Sequence, residues 1–145
     1  MYYQVNTKRI EEQLTYLERC FSVIAQLQNK PLSETEEFAL ARALQIAVEC
    51  IIDVGSLMID GFLMRDPGGY RDIVEILEDE QVISPDLAFT IKSWVQLRER
   101  LIRHYTDVSQ KELIEAAKSV SKIRLFIQSV QNYLEKELVG WSRKT

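Results

Sequence analysis

Apolar residues recur at steps of three and four along almost the whole chain, the signature of amphipathic helices. From Thr7 to Gln28 the stripe is Ile10, Leu14, Leu17, Phe21, Ile24 and Gln28, and Asn29, Lys30 and Pro31 break it. Ser33 to Glu36 reads S-E-T-E, a capping box in which serine and glutamate satisfy each other's backbone donors. It predicts a second helix from Ser33 to about Met64, closed by the breaker Asp66-Pro67-Gly68-Gly69. A short helix is predicted from Tyr70 to about Glu80. Ser84-Pro85 gives an N-cap with proline at the first helical position, and this fourth helix is expected to reach about His104. A second capping box, Ser109 to Glu112, opens a long last helix through Leu113, Ala117, Val120, Ile127, Val130, Leu134 and Leu138. Trp141 to Thr145 has no periodicity and is expected to fray. The prediction is an all-α, single-domain bundle over residues 1–145, four long helices plus one short one.

Composition narrows the possibilities. Five glycines and three prolines are too few for the turns of an all-β fold. Eighteen basic residues against twenty-two acidic ones, a net charge of −4, argue against a general nucleic-acid coat but leave room for a small basic site. The N-terminal stretch lacks the basic-then-apolar order of an export signal, and the most apolar run, Leu44 to Met64, is interrupted by Gln45, Glu49, Asp53 and Asp60. A cytoplasmic protein without a membrane span is expected. Cys20 and Cys50 read as reduced core thiols, and a single histidine leaves no Cys/His zinc spacing. No metal and no cofactor is expected.

Two helices depart from simple amphipathicity. The second is apolar nearly all round except for Arg42, Gln45, Glu49, Asp53, Ser56 and Asp60, which line one face as a solvent stripe or a seam against a cleft or partner. On the fourth, Leu87, Ile91, Trp94, Leu101 and Tyr105 share a face whose missing member is Arg98. A guanidinium there needs a carboxylate, for which Asp53 and Glu49 are the candidates, or else an open, solvated cleft, which the nearby basic groups favour. The segment Leu97 to Tyr105, LRERLIRHY, adds Arg100, Arg103 and His104, the only side chain with an ordinary pKa near neutrality. Tyr105, about 20° from Arg98 on a continuous helix, is expected to face the same way, with its hydroxyl exposed.

These residues resemble the HEPN superfamily, and within it the HepT-type toxins of HepT/MntA toxin–antitoxin pairs. The resemblance is carried by Gln45, Glu49 and Asp53, the break Pro67-Gly68-Gly69 with Tyr70 after it, Arg98-Glu99, Tyr105 and the continuation Thr106 to Ser109. Aligning Arg98 and Tyr105 puts Arg103 at the family's histidine position, with His104 one residue later, and Glu99 replaces the usual asparagine. The resemblance implies a HEPN-like helical homodimer with an interfacial cleft and metal-independent ribonuclease activity on an RNA such as tRNA or mRNA. Arg98 would engage the scissile phosphate and His104 would serve as acid/base, with Glu49, Asp53, Glu99, Arg100 and Arg103 around them. A nucleotidyltransferase antitoxin would adenylylate Tyr105. The alternatives are a catalytically inactive HEPN dimer that binds a partner or nucleotide, and a helical adaptor outside the superfamily.

Overall fold

A computed structural model describes residues 3–143. The described residues form α1 (Thr7–Leu27), α2 (Glu34–Gly61), α3 (Tyr70–Asp79), α4 (Pro85–Arg103), α5 (Gln110–Ala117), α6 (Val120–Ile123) and α7 (Leu125–Glu137), with a 3₁₀ turn at Tyr105–Asp107. None of these helices is long and apolar enough to cross a membrane. The centre is α2, buried on most sides through residues such as Leu40, Leu44, Ile51 and Met58. It packs against α1, α3 and α4, with Phe21 of α1 meeting Trp94 of α4 edge to face at 6.4 Å.

Both serine capping boxes form, at Ser33 with Glu36 and at Ser109 with Glu112. The second helix ends at Gly61, earlier than the Asp66-Pro67-Gly68-Gly69 breaker suggests. Leu63 adopts a left-handed φ of 56°, and the Met64 N–H returns to the Ile59 carbonyl at 2.9 Å. This Schellman closure satisfies the last carbonyls without glycine.

The expected single last helix is three segments. Trp94 Nε1 donates to the Ala116 carbonyl at 3.1 Å, the acceptor an unbroken helix would give to Val120. Ser119 N–H instead bonds Ala116 at 3.1 Å, a tighter three-residue spacing. Insertion of a side chain into the helical ladder is a recognised cause of such kinks. The buried positions follow suit: Ala117, Val120, Ile123 and Phe126 fall at steps of three. The periodicity that picks Ile127 rather than Ile123 and Phe126 assumes an unbroken helix.

Two side chains of the tail nevertheless have partners. Trp141 Nε1 donates to Glu11 Oε1 at 3.2 Å, and Arg143 Nε to Glu135 Oε1 at 2.5 Å. Lys144 and Thr145 lie outside the described residues.

Candidate functional site

Close helix packing brings the site together. Gly55 of α2 lets α3 approach so tightly that a Cβ there would come within 2.6 Å of Ile73 Cγ2 and 3.3 Å of Leu77 Cδ1. The loop before α3 is anchored by Asp72, which accepts from the Gly68 N–H at 2.8 Å and pairs with Arg65 at 3.0 Å. Those two partners hold the Asp72 carboxyl below its ordinary pKa, Arg65 most strongly. Tyr70, the first residue of α3, is thereby set beside α2 and α4.

Arg98 meets it there. Arg98 Nε donates to Glu49 Oε1 at 2.6 Å, Tyr70 Oη donates to Glu49 Oε2 at 2.8 Å, and the Arg98 guanidinium lies 4.3 Å from the centre of the Tyr70 ring. With its side chain 20% exposed, Arg98 is half-buried and paired, which corrects the favoured expectation of a guanidinium solvated in an open cleft. Of the two candidate carboxylates, Glu49 takes the role. Asp53, one turn further along α2, has its pKa pushed up by burial first and then by the Glu49 charge, against a smaller opposing pull from Arg9. The Tyr70 hydroxyl is pushed up as well, by burial and by Glu49 as its acceptor.

Arg98 continues into an ionic chain. Its Nη1 approaches Glu99 Oε2 at 3.6 Å, and the other oxygen of Glu99 pairs with Arg103 one turn on. Arg100 turns away from this group. It pairs with Glu112 of α5 and donates through Nη2 to the Asp107 carbonyl at 3.1 Å. The Glu112 pairing raises the Arg100 pKa, and Arg100 in turn lowers that of Glu112. The expected place of Arg100 among the free cleft cations is therefore corrected: it ties the end of α4 to the start of α5.

The helix stops at Arg103, so the wheel that put Tyr105 in line with Arg98 ends before it reaches Tyr105. His104 is the C-cap, with φ −136° and ψ 46°; its N–H bonds the Arg100 carbonyl at 2.8 Å and its own carbonyl accepts from Asp107 at 2.9 Å. Its side chain is exposed, and Tyr105 on the 3₁₀ turn is 71% exposed. The structure thus joins Arg98 with Glu49, Glu99 and, through Glu99, Arg103. It sets His104 and Tyr105 on an exposed turn just beyond them. Among the described residues, no cluster of three or more His, Cys, Asp or Glu side chains is placed to hold a metal ion. The residue whose part the spacing alone leaves open is Tyr70; its signal is an aromatic directly after the Pro67-Gly68-Gly69 break.

Residues 10–130 match the family described as Ribonuclease HepT-like. The chain belongs to the HepT-like family of the HEPN superfamily. Among relatives of this HepT-like chain, a Bacillus subtilis (strain 168) protein named "Putative RNase YutE" is 36% identical over 137 residues, 94% of each chain. A "Putative RNase" of Archaeoglobus fulgidus is 25% identical over 130 residues, 89% of this chain and 96% of that one. The solved structure of YutE, described as a cytosolic protein of unknown function, matches with a TM-score of 0.88 and 34% identity over 97% of this chain and 99% of that one. A tri-AMPylated Shewanella oneidensis HEPN toxin, solved in complex with MNT antitoxin, shares the fold. Its TM-score is 0.78 at 19% identity, over 86% of this chain and 97% of that one.

Proposed function

We propose that this HepT-like chain is a cytoplasmic, metal-independent endoribonuclease toxin. It works as a homodimer with the site in a cleft between protomers, and adenylylation of Tyr105 by a nucleotidyltransferase antitoxin silences it. The observation that carries the reading is the end of α4. Termination at Arg103 leaves His104 and Tyr105 exposed side by side, just past an arginine whose side chain is 20% exposed. His104 takes the proton from a ribose 2′-OH as that oxygen attacks the adjacent phosphorus, and returns it to the departing 5′-oxygen. The 5′-oxygen leaves, a 2′,3′-cyclic phosphate forms, and Arg98 offsets the charge that develops on the phosphate oxygens. In regulation, the Tyr105 oxygen attacks the α-phosphorus of ATP and pyrophosphate leaves. The bound nucleotide then blocks RNA by bulk and by negative charge.

The exposed stripe of α2 (Arg42, Asp53, Ser56 and Asp60) and the exposed Phe89 on α4 support a twofold interface through these helices. A stable interface would bury more than about 1,000 Å² in total. Light scattering that gives only a 16.9 kDa particle at tens of micromolar would overturn the dimer. The activity is tested with purified protein on tRNA and mRNA in the presence of a chelator, wild type beside His104→Ala. Cleavage lost in the variant supports the reading.

A second reading has its own observation. Glu49 and Glu99 both face the Arg98 charge, and Arg103 stands at the family's histidine position. These favour a catalytically inactive HEPN dimer that binds a partner or nucleotide in the same cleft. Wild-type protein that dimerises but leaves RNA intact selects it.

A further inference from the structure

Three side chains from three helices close on one another around Glu49. One carboxylate oxygen accepts from Arg98 Nε at 2.6 Å and the other from the Tyr70 hydroxyl at 2.8 Å. The Tyr70 ring covers one face of the same guanidinium at 4.3 Å. The inner edge and one face of Arg98 are therefore occupied. Its outer edge is held more loosely: among the described residues no hydrogen bond engages Nη1 or Nη2, and Glu99 pairs with Nη1 at a longer 3.6 Å.

An ion pair that serves only to tie α2 to α4 would set both carboxylate oxygens against the guanidinium fork. Here the second oxygen is diverted to a phenol, and the Nη1/Nη2 edge keeps only the long contact to Glu99. That two-pronged edge matches two oxygens of a phosphate. Glu99 already holds Arg103 with its other oxygen, so an incoming phosphate displaces only its long contact to Arg98. Burial and the Glu49 charge also keep the Tyr70 hydroxyl protonated, and so a donor, beyond the ordinary tyrosine range.

We propose that Tyr70 is a positioning residue: together with Glu49 it clamps the inner edge and one face of Arg98 and presents the Nη1/Nη2 edge to a phosphodiester. The proposal rests on the reading above that this site handles RNA.

Two measurements test it on the full chain. The first is the Arg98 Nε–H signal in a nitrogen–proton correlation spectrum, assigned by its loss in Arg98→Lys. It should be sharp and slow to exchange in wild type, retained in Tyr70→Phe, and broadened in Tyr70→Leu. The second is binding of an all-2′-O-methyl RNA oligonucleotide, which lacks the attacking hydroxyl and is not cleaved. Affinity should fall about tenfold in Tyr70→Leu, the scale of a partly desolvated cation–π contact, and only about two- to threefold in Tyr70→Phe, which keeps the ring.

A wild-type signal already averaged by free rotation overturns the clamp. So does wild type that fails to bind the oligonucleotide, or Tyr70→Leu that binds it as wild type does. Should Tyr70→Leu fail to fold, Glu49→Gln takes its place, and unchanged binding there overturns the clamp equally. Failure of the functional reading looks different. Wild type that binds the oligonucleotide through Arg98 but cleaves no RNA keeps the clamp and removes the ribonuclease, whereas cleavage with an unchanged kcat/KM in Tyr70→Leu removes the clamp and keeps the ribonuclease.

Discussion

Arg98 and the His104–Tyr105 turn stand close in sequence and are built in opposite ways. Arg98 is fixed by tertiary contacts from α2 and α3, a carboxylate at its inner edge and an aromatic ring on its face. The turn is fixed through its backbone, by His104 to Arg100, by Asp107 to His104 and by the Arg100 side chain on the Asp107 carbonyl, and the His104 and Tyr105 side chains are left to solvent. The difference divides the labour of the site. The cation is clamped in a set direction, and on the proposed function the groups that would meet a substrate or a modifying enzyme stay reachable. Arg100 lies between the two and serves the turn, pulling it toward α5 through Glu112 and the Asp107 carbonyl.

The two regions should respond differently to substitution, most strongly at Arg98 and His104. Arg98→Ala and His104→Ala should each lower RNA cleavage by about 10²-fold or more. Their melts should diverge. Arg98→Ala strands Glu49 with one partner and should cost about 2 kcal/mol, the scale of a charged hydrogen bond. His104→Ala, at an exposed site, should stay within about 0.5 kcal/mol of wild type. Equal destabilisation in a denaturant titration would erase the distinction between clamped and exposed regions.

Next in size is Gly55→Ala. The added methyl meets Ile73 Cγ2 at 2.6 Å, so α3 must shift, at a cost of about 1–3 kcal/mol as for other overpacked cores. Because Tyr70 rides on α3, the Arg98 Nε–H signal should broaden in the same variant while the turn's amides keep their protection. A variant as stable as wild type would show that α3 yields freely.

Tyr105→Phe sharpens the exposed side. It should melt within about 0.5 kcal/mol of wild type and lose all adenylyl mass gained with ATP and a matching nucleotidyltransferase. Undiminished labelling in intact-protein mass spectrometry would move the acceptor elsewhere.

The smallest effect is at Asp53. Burial and Glu49 raise its pKa in the folded protein, so the native state binds this proton more tightly than the unfolded chain does. Stability from this group is therefore present at low pH and falls as pH rises from the ordinary Asp value through the raised one. Asp53→Asn should be slightly more stable than wild type at pH 7, with the gain vanishing toward pH 3. A gain that persists at pH 3 would mean that charge is not the cause.

The helical class, both capping boxes and the starts of α2, α4 and α5 can be read from local sequence, because caps and proline act within a few residues of chain. The sequence also put Arg98 on an apolar face that called for a carboxylate or an open cleft, and made Glu49 one of two candidate carboxylates. Other features are set by partners distant in sequence. Trp94 takes the Ala116 carbonyl and breaks the last helix, and Glu11 and Glu135 hold a tail that carries no periodicity of its own. Gly55 brings in α3, and with it Tyr70 reaches Glu49 across twenty-one residues. The end of α4 at Arg103 belongs here too. A helical wheel extended past it places Tyr105 on the face of Arg98, but the Arg100 ties to Glu112 and Asp107 fold the chain into a 3₁₀ turn that gives Tyr105 to solvent. Periodicity reports which face a residue takes while its helix lasts; where the helix stops, and which side chain arrives from another one, depends on contacts that no local pattern encodes.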